Sequence, residues 1–296
     1  MTVLVTGAGG QIGRAALREL GDRGVGLRHA ELDVTDAAAV RAAVEEARPE
    51  LILHAAAWTD VDGAETDREG ATRANVDANR HVAEAAKAVG ARLVTLSTDF
   101  VFDGTKREPY VESDAVGPLS FYGETKLLGE RAALDAYPEG TWVVRTAWVY
   151  DEEGSNFPRL ILRLAETRDT LRVVEDQVGS PTYAGHLAPL LLSLPDQVPP
   201  GIRHIAGSGA ATRREWAEAV LAAAGRTTAV EGATSDEFPT PAQRPAYSVL
   251  ASELADTPVL PPWRVGVAAC MAGFSACRFA LAIVDRAAFS RALRAG

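Results

Sequence analysis

The chain has 296 residues, of which 47% are hydrophobic and 24% charged, and a formal net charge of -10. That length holds one large domain or two smaller ones, and the composition is that of an ordinary globular protein. The acidic balance argues against nucleic-acid binding, which needs basic patches against phosphate, but it leaves room for a local arginine pocket around a small anion.

Thr2-Val3-Leu4-Val5-Thr6 is an apolar run ending in glycines and reads as a buried strand. No signal-peptide pattern precedes it. Gly7-Ala8-Gly9-Gly10-Gln11-Ile12-Gly13 follows, and Arg14 to Leu20 reads as a helix. Val25 to Arg28 is a second strand, and Asp36 to Ala47 an Ala-rich helix capped by Thr35 or Asp36. Leu51 to Ala57 reads as a buried strand, Ala71 to Val89 as one long helix, and Arg92 to Ser97 as a strand. Tyr122 to Asp135 is helical and Trp142 to Thr146 a strand. This alternation predicts an α/β fold, a Rossmann-like doubly wound parallel sheet. Its ligands bind beyond the C-terminal ends of the strands, where the glycine turn, Ala55–Thr59 and Ser97–Asp99 fall.

After Asp151 the rhythm loosens. Phe157–Ala165 and Arg214–Ala224 read as helices between proline-containing loops. Residues 1–150 are expected to bind the dinucleotide, with Tyr183–Leu194 and His204-Ile205-Ala206 returning to that domain. Residues 151–182 and 207–296 would form a smaller substrate-binding lobe. Cys270 and Cys277 are seven residues apart. On a helix that is about 10 Å of rise, too far for a disulfide, which suits a reducing, cytoplasmic setting. Val265 to Val284 is apolar but interrupted by Arg278, so it reads as a buried or amphipathic helix and not as a membrane span.

Gly7, Gly10 and Gly13 between a strand and a helix make a dinucleotide cradle. Glycine permits the tight turn and the close approach of phosphate, and the helix N-terminus offers amide donors. An acid for the cofactor ribose is not evident after the second strand. Arg28 stands near that place and favours a 2′-phosphate, hence NADPH, with NADH possible. Tyr122 and Lys126 are four apart and share a helix face. In isolation such a pair is a surface Tyr and a surface Lys. Behind a glycine turn and a strand ending in Thr98, it reads as catalytic. An ammonium beside the phenol would lower its pKa so that Tyr122 could protonate a developing alkoxide, with Thr98 orienting the oxygen. The five histidines are scattered, so no metal site is expected, and His54 reads as a satisfied core residue. No Gly-x-Ser-x-Gly elbow appears.

Several segments now stand together: Gly7–Gly13, Ala55–Asp62, Ser97–Gly104, Tyr122–Lys126 with Gly129-Glu130, Arg145–Tyr150, Asn156-Phe157, Asp176–Thr182 and Arg244-Pro245. In their order the chain resembles the extended short-chain dehydrogenase/reductases, and within them the dTDP-4-dehydrorhamnose reductase subfamily. The resemblance implies that Tyr122 is the proton donor, with Lys126 supporting it and holding the nicotinamide ribose. It places Gly10, Gln11 and Ile12 on the pyrophosphate, Asp33 and Val34 beside adenine, and Ala57, Trp58 and Thr59 along the cofactor. Thr98 and Asp99 would touch the sugar and Trp148 would pack on it, with Asn156 and Arg244 also on the substrate. Read from the residues alone, Trp148 serves equally as core. Asn75 is either a shaper of the active-site helix or a solvent-facing polar.

The implied reaction is reduction of the C4 keto group of a dTDP-4-keto-6-deoxy sugar. The partner would be a nucleotide-sugar, with no nucleic acid and no membrane, on a monomer or homodimer. Related dehydratases carry Thr-Asp-Glu where this chain has Thr98-Asp99-Phe100, so elimination is not expected. A reductase of another dTDP-4-keto sugar, a non-catalytic dinucleotide-binding subunit and an epimerase are the rival readings. After Arg264 the tail departs from the family's short terminal helix and reads as an oligomer contact or a poorly ordered end.

Overall fold

The computed structural model describes residues 1–274. Its central sheet has six parallel strands: β1 (Val3–Thr6), β2 (Gly24–Leu27), β3 (Leu51–His54), β4 (Arg92–Thr98), β5 (Thr141–Thr146) and Gly201–His204. The spatial order is β2-β1-β3-β4-β5, with Gly201–His204 on the edge beside β5. The winding reverses between β1 and β3, and a crevice opens at such a reversal.

Alternate side chains of a strand point to opposite faces, and both faces are covered. Val3, Val5, Leu51 and Leu53 pack under α1 (Gln11–Leu20) and the helix Ala184–Ser193. Leu4, Ile52 and Leu93 pack under α2 (Ala37–Ala47) and the helix Ala78–Val89. This is the doubly wound Rossmann-like sheet expected from the sequence. Asp36 caps α2 by accepting from the amides of Ala38 and Ala39.

A separate apolar core joins the helices Phe157–Leu164 and Arg213–Ala223 to the helical residues 263–274. The parallel strands Thr170–Val174 and Ala229–Ala233 flank it. Cys270 is buried in this lobe as a free thiol. Cys277, the rest of the apolar stretch to Val284 and the tail to Gly296 lie outside the described residues. Among the described residues no helix is long and apolar enough to cross a membrane.

Two elements differ from the sequence expectation. The single helix expected over 71–89 is broken into Arg68–Thr72, a π-turn at Arg73–Asp77, and Ala78–Val89. The Asn79 side chain takes the Asn75 carbonyl, and the helix Phe121–Ala136 crosses so closely that a Cβ on Gly129 would lie 2.1 Å from that same oxygen. The strand expected through Ala57 leaves the sheet after His54. Residues 55 and 56 pass under Gly7, where a Cβ would lie 2.5 Å from the Ala56 nitrogen.

Candidate active site

A cavity of about 800 Å³ opens at the C-terminal ends of β1, β3, β4 and β5. Gly7, Gly10, Gln11 and Ile12 form one wall. Gly7 has φ +68°, and Gly13 lies beneath the turn, where a Cβ would be 2.3 Å from the Gly7 carbonyl oxygen. Only glycine fits these two positions without moving the backbone. Asp33 and Val34 line one end of the cavity, and Ala57, Trp58 and Thr59 continue the wall. Arg28 leans over Gly9 without lining the cavity. Arg14 and His29, which the sequence reading passed over, do line it. Arg14 is held by the carbonyls of Gly9 and Glu153.

Thr98 ends β4, and Tyr122 and Lys126 lie on the helix Phe121–Ala136, capped by Ser120. All three line the same cavity. Burial pushes the Tyr122 phenol up to about 12, opposed by hydrogen bonding from Thr98 and reinforced by the charge of Asp99. Lys126 does not offset this. Its ammonium donates to the Leu96 carbonyl at 2.7 Å, and burial draws its pKa down to about 8 against the support of Glu130. The expected lowering of the tyrosine pKa is therefore absent: desolvation outweighs any nearby cation. A firmly protonated phenol still suits a proton donor.

Asp99 is buried next to Thr98 and accepts hydrogen bonds from Thr98 (3.0 Å) and Ser248. Burial raises its pKa to about 6. The folded chain thus favours the protonated acid, and the stability this gives at low pH is lost as pH rises through about 6. Asp99→Asn should therefore gain in melting temperature relative to the parent as pH rises from about 4 to about 6. A difference that does not change with pH would refute the sign.

Trp148 follows β5 at φ +45°, a strained conformation for a bulky residue. Its indole lines the cavity, stacks on Trp216 and abuts Gly179, where a Cβ would meet it at 2.4 Å. Asn156 and Arg244 do not line the cavity. Asn156 caps the helix Phe157–Leu164 and donates to the Asp151 carbonyl. Arg244 pairs with Asp62 at 2.8 Å, tying the segment after the Ala229–Ala233 strand to the loop after β3.

Three buried groups carry more than the sequence indicated. Asn75 accepts from the Trp58 amide at 2.9 Å and donates to the Trp58 carbonyl and to Thr125 at 3.0 Å. It clamps the cavity wall to the helix of Tyr122, so it is a shaper and not a solvent-facing polar. His54 is only half satisfied. One ring nitrogen meets the Thr6 hydroxyl at 2.7 Å while Nε2 has no partner among the described residues, and burial holds the ring neutral with a pKa of about 3. Glu130, one turn beyond Lys126, takes a two-pronged bond from Arg145 at 2.8 and 2.7 Å and another from Ser97. Gly129-Glu130 and Arg145 each stood in a segment visible in the sequence; that the two meet was not.

The family model for the RmlD substrate binding domain matches residues 1–276. The chain belongs to this family. It is 43% identical over 256 residues to a dTDP-4-dehydrorhamnose reductase of Streptomyces griseus, covering 83% of this chain and 84% of that one. It is 40% identical to a dTDP-4-keto-6-deoxy-D-glucose reductase of Streptomyces niveus over 83% of this chain and 87% of that one. A solved dTDP-4-dehydrorhamnose reductase of Bacillus anthracis in complex with NADP superposes with a TM-score of 0.89 at 33% identity, covering 92% of this chain and all of that one. In this RmlD-family cavity, Gln11 Oε1, His54 Nε2 and Thr146 Oγ1 are buried polar atoms without a partner among the described residues. Together with the glycine cradle they fit a polar dinucleotide.

Proposed function

We infer that the chain is an NADPH-dependent reductase of the C4 keto group of a dTDP-4-keto-6-deoxy sugar, converting dTDP-4-dehydro-L-rhamnose to dTDP-L-rhamnose. The observation that carries this reading is that Thr98, Tyr122 and Lys126 share one cavity with the glycine cradle. Residues 1–150 with 183–206 serve as the cofactor platform, and the segments 151–182 and 207 onward cover the sugar.

Gly7, Gly10, Gln11 and Ile12 would hold the pyrophosphate, with Asp33 and Val34 at the adenine end. Arg14, Arg28 and His29 gather cationic or donor groups near the glycine turn, which suits a 2′-phosphate. NADPH, when bound, supplies the hydride to the carbonyl carbon. Tyr122 gives its hydroxyl proton to the carbonyl oxygen as negative charge grows there. The Thr98 hydroxyl orients that oxygen, and Lys126 holds the nicotinamide ribose. Trp148 gives the sugar ring an apolar face to pack on.

Incubation with dTDP-4-dehydro-L-rhamnose should deplete the absorbance of NADPH, and that of NADH more slowly. Depletion with a different dTDP-4-keto sugar alone would move the substrate to a sibling. Cofactor binding without turnover of any such sugar would support the non-catalytic subunit. Activity on tightly bound oxidised cofactor with no added NADPH would support an epimerase.

A further inference from the structure

Arg213 opens the helix Arg213–Ala223. Its guanidinium carbon lies over the Trp148 indole, 3.5 Å from the ring centroid, with the Phe157 and Trp216 centroids each at 5.6 Å. Its N–H donors find no hydrogen-bond acceptor and no carboxylate partner among the described residues. The neighbouring Arg214 differs in every respect: it is tied to Glu175 at 2.9 Å and Glu218 at 3.0 Å.

Several effects oppose a charge at Arg213. Aromatic rings cover one side of this half-buried side chain, and Arg244 adds a second positive field; burial, the larger effect, draws its pKa down to about 10. The first turn of a helix also disfavours a cation, because the amide dipoles point their positive ends there. Asp99 is the one carboxylate whose field supports it, and the two make no ion pair. A guanidinium held in this way, with its donors unspent, beside another arginine and a helix N-terminus, is arranged for an anion that arrives with the ligand. It does not itself line the cavity; it lies against Trp148, which does, and it belongs to the second lobe's helix Arg213–Ala223 and not to the glycine cradle.

We propose that Arg213, stacked on Trp148, binds the diphosphate of the nucleotide-sugar substrate. The inference rests on the reductase reading for its substrate and adds a residue that fixes where the anionic half of that substrate lies. Trp148 then has two roles at once. It borders the sugar site, and its ring holds the guanidinium in place so that the fork is set before the diphosphate enters.

The test compares Arg213→Gln and Arg213→Lys with the parent. It reads titration with dTDP and with thymidine, titration with NADPH, and steady-state turnover. Arg213→Gln should weaken dTDP binding about tenfold to a hundredfold, the range for losing a charge-assisted bond to an anion. Thymidine and NADPH binding should stay as in the parent, and KM for the keto sugar should rise more than kcat falls. Arg213→Lys should recover part of the dTDP affinity, because it keeps the charge but not the planar fork. Unchanged dTDP binding by Arg213→Gln overturns the proposal. So does loss of NADPH binding in both variants, which would make Arg213 a structural residue. A parent protein that binds dTDP through Arg213 but turns over no keto sugar would sink the reductase reading and leave this one standing.

Discussion

Tyr122→Phe should lower kcat by about a hundredfold to ten-thousandfold, the usual worth of a positioned general acid. The change removes one oxygen from a half-buried ring whose edge-to-face packing with Phe100, at 5.7 Å between centroids, stays possible. NADPH titration and melting temperature should therefore remain near those of the parent, and the loss should fall on kcat and kcat/KM alike. Retention of full activity would remove Tyr122 from the chemistry. The parent's pH profile gives a second reading of the same site. Lys126 keeps its charge below about pH 8 and loses it above, so kcat/KM should fall as pH rises through that region. Tyr122, pushed up to about 12, should add no limb within the working range.

Arg145→Met should cost about 3–5 kcal/mol of unfolding free energy in urea titrations, the penalty for stranding a buried partner charge. Both members of the pair are almost fully enclosed, with side-chain exposures of 4% for Arg145 and 2% for Glu130. Glu130 would be left with the Ser97 hydroxyl as its nearest help. A double variant, Glu130→Leu with Arg145→Met, should recover much of the loss, since an apolar pair of similar volume often equals a buried ion pair. Equal destabilisation of the single and double variants would mean that packing, and not charge, is what Arg145 contributes. The double variant should also show a weaker Lys126 ammonium, because Glu130 supports its charge.

The parts of the site built from local spacing were readable in the sequence. Gly7 and Gly13 meet within one turn, and Tyr122 and Lys126 meet by helix periodicity, so residue type and interval carried the information. The alternation of Val3, Leu4 and Val5 between two cores likewise follows from strand geometry. What could not be read depends on partners distant in the chain. Asn75 reads either as a shaper of the active-site helix or as a solvent-facing polar until Trp58 and Thr125 come to it from separate segments. Arg213 and Arg214 are indistinguishable as letters, yet one lies beneath aromatic rings and the other is on the surface with two glutamates. His54 was expected to be satisfied because it sits in a buried strand, but a strand end that opens on a cavity covers only one of its nitrogens. The expectation for Tyr122 had the sign of its pKa shift reversed, since burial cannot be weighed against charge before the walls of the cavity are known.

A π-turn holds one residue more than an α-turn, so the helical surfaces before and after Arg73–Asp77 are offset by about 100°. That offset lets Asn75 reach Trp58 while Val82 and Ala86 face the sheet core. Deleting a single residue there would give a smoother helix with more regular hydrogen bonds, and would swing one of those two surfaces away from its partner. A helix that looks locally improved at this point would therefore lose either the Asn75 clamp on the cavity wall or the packing of Val82 and Ala86 against the sheet.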